Sequence, residues 1–581
     1  MLRPLAQEAA VLALLALTLV AWFAAWPAWL PPVVPALLGL VAAVVRLGPE
    51  GFAAVRPWLA AARVRSETAL CLALAVAYRV PALLHPWGWV NKDGAFGAFI
   101  ALHLLQGARP APIFTEGANY QGSLKGHLAA VLALGTGSED LSWLMVMASL
   151  LLYLVFVAAS MSLSRRVFGR GAALVTGLYL ALSPKFLTTF SLNCVGQYMD
   201  VLALGGVALA LLARMLDDDQ GGREARFAYA GIGFLLGAAF WQQPVALAYV
   251  GAAGLALVVR RRTWSDWWAG LVLPGFALGV LPVLLWNLVN GWGTSDIVGR
   301  DPRELLAQAE ALPVLVARTV TRAFPVLAGL SPGHPGATWP GVHVFAVALL
   351  PLVALLYPFI TRVSLGQGLR GRPGPAFLPV LLAVTTLGLF WATASGHINE
   401  RPRYLLPALA AFAVMMGVVT LWTWRRSRFV ASAGLLAVLT LNVLGTVPRL
   451  REGASVEAFW QGVVRSLEDK GIRTGYADFS VAAPITMFTA ERVTLSARLG
   501  PTPAYYSDSQ DERVSKDGPD AYVLARRDDP EAFAAALRAI GVSCREERQP
   551  FPIFWACSRR VRLEEVAGFR GEREAPAADE E

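Results

Sequence analysis

The sequence is poor in charge: Asp, Glu, Lys and Arg together make up 16% of its residues, where an average soluble domain carries roughly 25%. That excludes an ordinary water-soluble domain, and a mean hydropathy of +0.51 agrees. Cysteine is also scarce. The four cysteines lie far apart, with no C-x-x-C pair and no zinc spacing, which excludes a structural zinc framework. The net charge of +9 does not mark a nucleic-acid partner. No basic patch is interleaved with aromatics, and the arginines stand in short clusters between apolar runs, as orientation signals do. No internal repeat is visible. A cleavable leader is not expected either, because the run from Ala9 to Trp26 is apolar and long enough to stay in a membrane.

What the chain has in quantity is apolar sequence, at 56% hydrophobic residues. Runs of spanning or near-spanning length fall near 9–26, 33–47, 66–84, 140–161, 171–190, 198–215, 227–240, 244–259, 266–288, 341–360, 376–394, 404–424 and 428–447, which predicts a polytopic helical membrane protein of about 13 spans. A boundary is expected between Trp241 and Pro244. Placing the N-terminus inside puts the clusters Arg56/Arg63/Arg65, Arg165/Arg166/Arg170, Arg260/Arg261/Arg262, Arg362/Arg370/Arg372 and Arg425/Arg426/Arg428 in the cytoplasm. Every alternate loop agrees. The loop at 85–139, the loop at 289–340, the turn Arg401-Pro402-Arg403-Tyr404 and everything after about 448 then share the extracytoplasmic face.

Four segments result: two extra N-terminal helices in 1–65, a membrane domain in 66–447, a small extracytoplasmic α/β domain in 448–565, and a disordered tail in 566–581. In the α/β domain an amphipathic helix is expected over Val456–Lys470, and strands over Ile472–Phe479, over Asp520–Arg527 and around Cys544 and Cys557. Asp529-Pro530-Glu531 starts a helix that Gly541 stops. Cys544 and Cys557 form either a disulfide, as an outer face allows, or two free thiols; spacing leaves both open.

The chemistry concentrates in the stretch Trp87–Gly107. Asp93 lies at the exit of a span, which avoids much of the roughly 2.5–3.5 kcal/mol that a carboxylate costs in the hydrocarbon core. Its bland role is to cap a helix beginning at Gly94. Three neighbours favour a functional one: Trp87 and Trp89 suit the membrane interface, Gly94 and Gly97 would let backbone approach a ligand, and Phe96, Phe99, Ile100 and Leu104 would lay an apolar face on the bilayer. His103 and His127 read as face residues rather than ligands, and Asp217–Asp219 as a solvated loop.

Lys92–Pro110, followed by Tyr120-Gln121-Gly122-Ser123-Leu124-Lys125-Gly126-His127, resembles the first exterior loop of GT-C-fold membrane glycosyltransferases. The resemblance is to the bacterial branch related to protein O-mannosyltransferases and aminoarabinose transferases. Gly196-Gln197-Tyr198, Gly237–Trp241, Asn287–Asn290, Arg403–Pro407, Gly475–Phe479 and Phe488–Arg492 resemble later pieces of the same pattern. Two positions depart from it: Lys125 stands where the family usually has Glu, and Gly94 where many members carry a second acid.

The resemblance implies transfer of a sugar from a polyprenyl-phosphate donor to a hydroxyl or phosphate of a lipid, glycan or protein acceptor. It places the enzyme in a bacterial inner (plasma) membrane with its site facing the periplasm. Topology gives an independent reason for such a donor, since nucleotide sugars are cytosolic. Asp93 is then the expected base, alone or through a divalent ion such as Mg or Mn; Arg401, Arg403 and Lys185 are expected at the donor phosphate. Tyr120, Gln121, Lys125, Gln197, Tyr198 and Tyr404 are expected along the substrate groove, with Glu116 a distant substitute acid. Two other functions compete: a polymerase or ligase of lipid-linked glycans, and a transporter or flippase. The second lacks the paired intramembrane charges that coupling-ion sites use.

Overall fold

The computed structural model describes residues 66–107, 112–116, 118–217, 223–260, 267–292, 294, 312–331, 334, 336–362, 374–393, 402–499, 508–524, 529–548, 551–561 and 565–566. The two N-terminal helices expected before residue 66, Arg401, Asp218, Asp219 and the tail from 567 lie outside them.

The chain divides into two compact units. One comprises the chain up to Leu84, Ser149–Leu192 and Gln197–Leu450; the other comprises His85–Ala148, Asn193–Gly196 and the chain from Arg451 on.

The first unit is helical. Among the described residues of the whole chain, seven helices are long and apolar enough to cross a membrane: Ser66–Leu84, Leu141–Phe168, Tyr198–Leu216, Trp268–Val289, Pro340–Thr361, Arg403–Trp424 and Arg428–Asp469. The expected spans at 244–259 and 376–394 are the shorter helices Pro244–Val259 and Phe377–Ala392. The break expected near Trp241–Pro244 is present, since one helix ends at Gln242 and a 3-10 turn starts at Pro244.

Two expected elements differ. The run at 171–190 is not one rod but Arg170–Ala181 and Lys185–Leu192, bent by 73°. Pro184 explains the bend, because it cannot donate a helical hydrogen bond and disfavours helix at Ser183 before it. Conversely, 428–447 and 456–470 are not separate; Arg428–Asp469 is one helix of 42 residues with Pro448 inside it. Polarity changes at Arg449, but polarity alone does not end a helix, and Arg, Glu, Ala and Ser between 449 and 455 are all compatible with one.

Arg79 is wholly buried in the Ser66–Leu84 helix. Its guanidinium donates to Ser191 Oγ at 2.7 Å, Ser183 Oγ at 2.7 Å, Ala181 O at 3.1 Å and Ala75 O at 3.0 Å. It also sits 4.1 Å from the centroid of the Tyr153 ring. Arg79 thereby satisfies the carbonyl end of Arg170–Ala181 where the bend at Pro184 interrupts the helical ladder. Nearby helices approach through glycine. A Cβ on Gly233, Gly237, Gly275 or Gly279 would fall 2.0–2.2 Å from a backbone carbonyl oxygen of the facing helix. This is the small-xxx-small spacing on both Arg223–Gln242 and Val272–Val289.

Among the described residues the second unit holds seven strands. β1 (Phe114–Thr115) and β2 (Ala118–Gly122) form an antiparallel pair. β3 (Thr474–Ala477), β4 (Thr494–Ser496), β5 (Ala521–Val523), β6 (Arg545–Glu547) and β7 (Ile553–Trp555) form a sheet in the order β4-β3-β5-β7-β6. β3 runs parallel to β4 and β5, while β7 is antiparallel to β5 and β6. This is the expected small α/β domain, with shorter strands than expected and two helices the sequence reading did not place, Phe479–Phe488 and Asp508–Asp517. The helix announced by Asp529 is Pro530–Ala539, and the Asp529 carboxylate accepts from Glu531 and Ala532 N–H. Cys544 and Cys557 are disulfide-bonded. Tyr476, Tyr522, Phe533, Leu537 and Phe554 fill the core.

Candidate active site

The Asp93 helix runs over Lys92–Leu105, and its cap is Asn91, whose side chain accepts the Gly94 N–H at 2.9 Å. The capping role open to Asp93 in the sequence is therefore taken by Asn91. Asp93 stands one position inside the helix, in its first turn and partly exposed. A first-turn carboxylate is also favoured there by the helix dipole.

Gly94 and Gly97 do not open the backbone to a ligand as expected. A Cβ on Gly94 would lie 2.8 Å from Cys194 Cβ, and one on Gly97 2.8 Å from Met145 Cε. They are glycines because protein packs against them.

The apolar face of this helix is likewise turned into the protein rather than onto a bilayer. Phe96, Phe99 and Ile100 are at most 4% exposed. The Phe479–Phe488 helix of the α/β domain meets this face at Phe96, which stacks on Phe479 at 5.9 Å, and Lys92 Nζ sits 4.5 Å from the Phe479 ring centroid, while Ile100 packs on Gly126. The two tryptophans do not form an interfacial belt. Trp87 stacks flat on Phe488 at 4.3 Å, and Trp89 is 1% exposed, its turn pressed glycine to glycine at Gly88 and Gly453.

At the far end of the same helix, His103 Nε2 meets Glu491 Oε1 at 2.8 Å, and Arg513 approaches the other oxygen of Glu491 at 3.6 Å. Ala490 and Glu491 both hold positive φ, 46° and 64°, a conformation uncommon for non-glycine residues and worth attention wherever it places a functional side chain. The hydrogen bond raises the His103 pKa above its ordinary 6.5 and lowers that of Glu491 below its ordinary 4.5, with burial opposing both shifts.

The imidazolium's contribution to stability is full below about pH 6.5 and is lost as pH rises through its raised folded value. The carboxylate's contribution is full above about pH 4.5 and is lost as pH falls through its lowered folded value. Both are complete between those limits. The stability advantage of the wild type over His103→Gln, measured by thermal unfolding, is thus expected to be largest near pH 5–6 and to shrink steadily toward pH 9. A pH-independent difference would count against a charged pair.

The groove candidates separate into two places. Tyr120 and Gln121 lie on β2, partly buried. Lys125 heads the Leu124–Thr136 helix but is only 1% exposed, and its ammonium donates to Gly196 O at 2.8 Å. It fastens the Asn193–Gly196 turn rather than lining an open groove. Cys194 of that same turn packs on Gly94, so Lys125 supports the backbone next to Asp93. His127 bonds the Ser123 carbonyl at 2.8 Å, a structural role, and Glu116 bears electrostatically on His103.

In the other unit, Gln197, Tyr198, Arg403 and Tyr404 come together. The Gln197 N–H donates to the Gln243 side chain at 3.2 Å. The Tyr198 hydroxyl shares hydrogen bonds with Gln243 and Tyr404. Tyr198 and Tyr404 meet edge to face at 6.1 Å, and Phe190 flanks Tyr198 at 5.2 Å. Arg403 Nη2 approaches the Tyr404 hydroxyl at 3.4 Å, with its guanidinium 5.2 Å from that ring's centroid. Lys185 opens the short Lys185–Leu192 helix that also carries Phe190.

Sequence reasoning passed over Asn91, Arg79, Asp200 and Glu491. Asp200 is fully buried in the first turn of Tyr198–Asp217. For Arg79 and Asp200 the signal was present, an ionisable residue inside an apolar run. Glu491 carries no such mark. Among the described residues no group of three or more His, Cys, Asp or Glu side chains is placed to hold a metal ion. The mechanism proposed below uses Asp93 directly as the base.

The fold is that of the GT-C glycosyltransferases, a multi-pass membrane protein with an appended α/β domain. The chain is similar to the crystal structure of ArnT from Cupriavidus metallidurans bound to undecaprenyl phosphate, with a TM-score of 0.52 and 13% identity over 86% of this chain and 99% of that one. A second similarity is to the oligosaccharyltransferase AglB from Archaeoglobus fulgidus in complex with an inhibitory peptide and a dolichol-phosphate, with a TM-score of 0.42 and 14% identity over 82% of this chain and 70% of that one. No protein-family model and no curated protein matches the sequence.

Proposed function

We propose that the chain is an integral-membrane glycosyltransferase that moves a sugar from a polyprenyl-phosphate donor to an acceptor hydroxyl or phosphate on the extracytoplasmic face. The observation that carries this reading is Asp93: a partly exposed carboxylate, relieved of helix capping by Asn91, on a chain with the fold of ArnT bound to undecaprenyl phosphate. The Cys544–Cys557 disulfide supports the outward placement of the α/β domain, since disulfides persist in oxidising compartments.

The transfer is one displacement at the anomeric carbon. Asp93 takes the acceptor proton as its oxygen attacks, the bond to the lipid phosphate breaks, and the carbon inverts. Arg403, with Lys185 and Arg401, steadies the charge on the departing phosphate, where a guanidinium pairs bidentately. Tyr404, itself packed edge to face on Tyr198, holds the Arg403 side chain in place.

Arg403→Ala is expected to raise the KM for the donor about tenfold or more, as the loss of a charge-assisted hydrogen bond requires. The assay is sugar transfer in membranes supplied with a polyprenyl-phosphate sugar, with acceptor saturating. An unchanged donor KM would return Arg403 to a purely structural role beside Tyr404.

A further inference from the structure

We propose that the C-terminal α/β domain carries a separate ligand site, a pocket for one negatively charged pyranose unit. The inference does not depend on the transfer reaction. A cavity of about 250 Å³ lies at the amino edge of β3 and β5, and Lys470, Asp520, Trp555, Arg559 and Arg560 stand in its wall. All of them reach that edge because Ala521 at the start of β5 pairs with Trp555 at the end of antiparallel β7.

The wall has the chemistry that a charged sugar requires. The half-buried Trp555 indole carries the Lys470 ammonium 4.9 Å from its ring centroid, and its aromatic surface suits the C–H face of a pyranose where a ligand anion draws that ammonium aside. Around it stand three cations and one carboxylate. Each cation is paired, Lys470 with Glu547 at 2.5 Å, Arg559 with Glu565 at 2.8 Å and Arg560 with Asp520 at 3.4 Å. Arg559 and Arg560 are 47% and 64% exposed, and exposed pairs of this kind are weak. A ligand carboxylate or phosphate can therefore take over a guanidinium bidentately.

The wall is also held rigid. The second oxygen of Asp520 accepts the backbone N–H groups of Arg473 and Thr474 at 3.0 and 3.2 Å. The Arg560 stem lies across Gly518, where a Cβ would be 2.8 Å from its Cδ. Ala556 is held at φ 49° between Trp555 and the disulfide-bonded Cys557, and strained backbone of this kind clusters at ligand sites. The volume admits one sugar ring and little more.

The test uses the full chain in detergent micelles and ligand-observed saturation-transfer NMR, with galacturonate, glucose 6-phosphate, glucose and inorganic phosphate as probes. Galacturonate or glucose 6-phosphate is expected to bind at millimolar concentration, with glucose weaker by about tenfold or more. Which of the two binds tighter identifies the anion. Trp555→Ala should abolish the signal, and Arg560→Gln, at a more exposed position, should weaken it about tenfold with an unchanged unfolding temperature. The inference is overturned if neither charged sugar binds, if phosphate alone matches glucose 6-phosphate, or if Arg560→Gln binds like the wild type.

Discussion

Asp93→Asn is expected to abolish sugar transfer while leaving the helix that carries it intact. Asparagine keeps the shape of the side chain but cannot accept the proton, and removing a general base costs about 10²–10⁴-fold in rate. The structural side of the prediction rests on Asn91. Because that residue caps Lys92–Leu105, and because Phe479 and Glu491 grip the helix elsewhere, nothing in its fold hangs on the Asp93 carboxylate acting as a cap. Expression, membrane insertion and unfolding temperature should match the wild type. The measurement is transfer in membranes from a polyprenyl-phosphate sugar, and activity within a few-fold of wild type in Asp93→Asn would sink the mechanism. The companion Asn91→Ala should show the reverse pattern, a loss of roughly 0.5–2 kcal/mol of stability with the reacting carboxylate still present.

The second large effect is expected in the helical unit. Arg79→Met replaces a fully buried guanidinium by an apolar chain of similar length and removes four hydrogen bonds. The Ala181 carbonyl is left in an apolar surround at the end of a broken helix. The Ser183 hydroxyl keeps Thr188, and the Ser191 hydroxyl keeps the Thr188 carbonyl, so part of the network survives. A net loss of about 2–4 kcal/mol follows from unsatisfied buried groups and lost charge-assisted bonds. Thermal unfolding in detergent reads it, and an unfolding temperature equal to the wild type would show that the bend at Pro184 holds without Arg79.

Much of the architecture was legible because its causes are local. Apolar runs mark membrane helices, Asp529-Pro530 starts a helix through its own side chain and ring, and Pro184 marks the bend in the run at 171–190. The Asp93 stretch stood out for the same reason, as a lone carboxylate where a run ends. What was hidden depends on partners distant in the chain. Phe96 looks the same in sequence whether it meets lipid or protein; only the docking of Phe479, nearly four hundred residues later, decides it. Lys125 reads as a polar groove residue until the Gly196 carbonyl is seen to claim it. The helix Arg428–Asp469 looks divided in sequence because its composition changes and Pro448 falls at the change, yet the helix carries that proline through without a stop.

Arg79 also sets an order of events during synthesis. Its acceptors at Ala181, Ser183 and Ser191 lie 102 to 112 residues further along the chain. At about 5–20 residues per second, a ribosome needs roughly 5–20 s to deliver them. Through that interval the Ser66–Leu84 helix holds a guanidinium whose one hydrogen-bond acceptor of the four named above is the Ala75 carbonyl of its own turn, with the Tyr78 and Tyr153 rings beside it. A lone arginine in hydrocarbon is costly, so the helix is expected to linger beside the insertion machinery or at the headgroup level until Lys185–Leu192 emerges. Nascent chains arrested just before Ser183 and just after Leu192 should then differ in how readily this helix enters lipid.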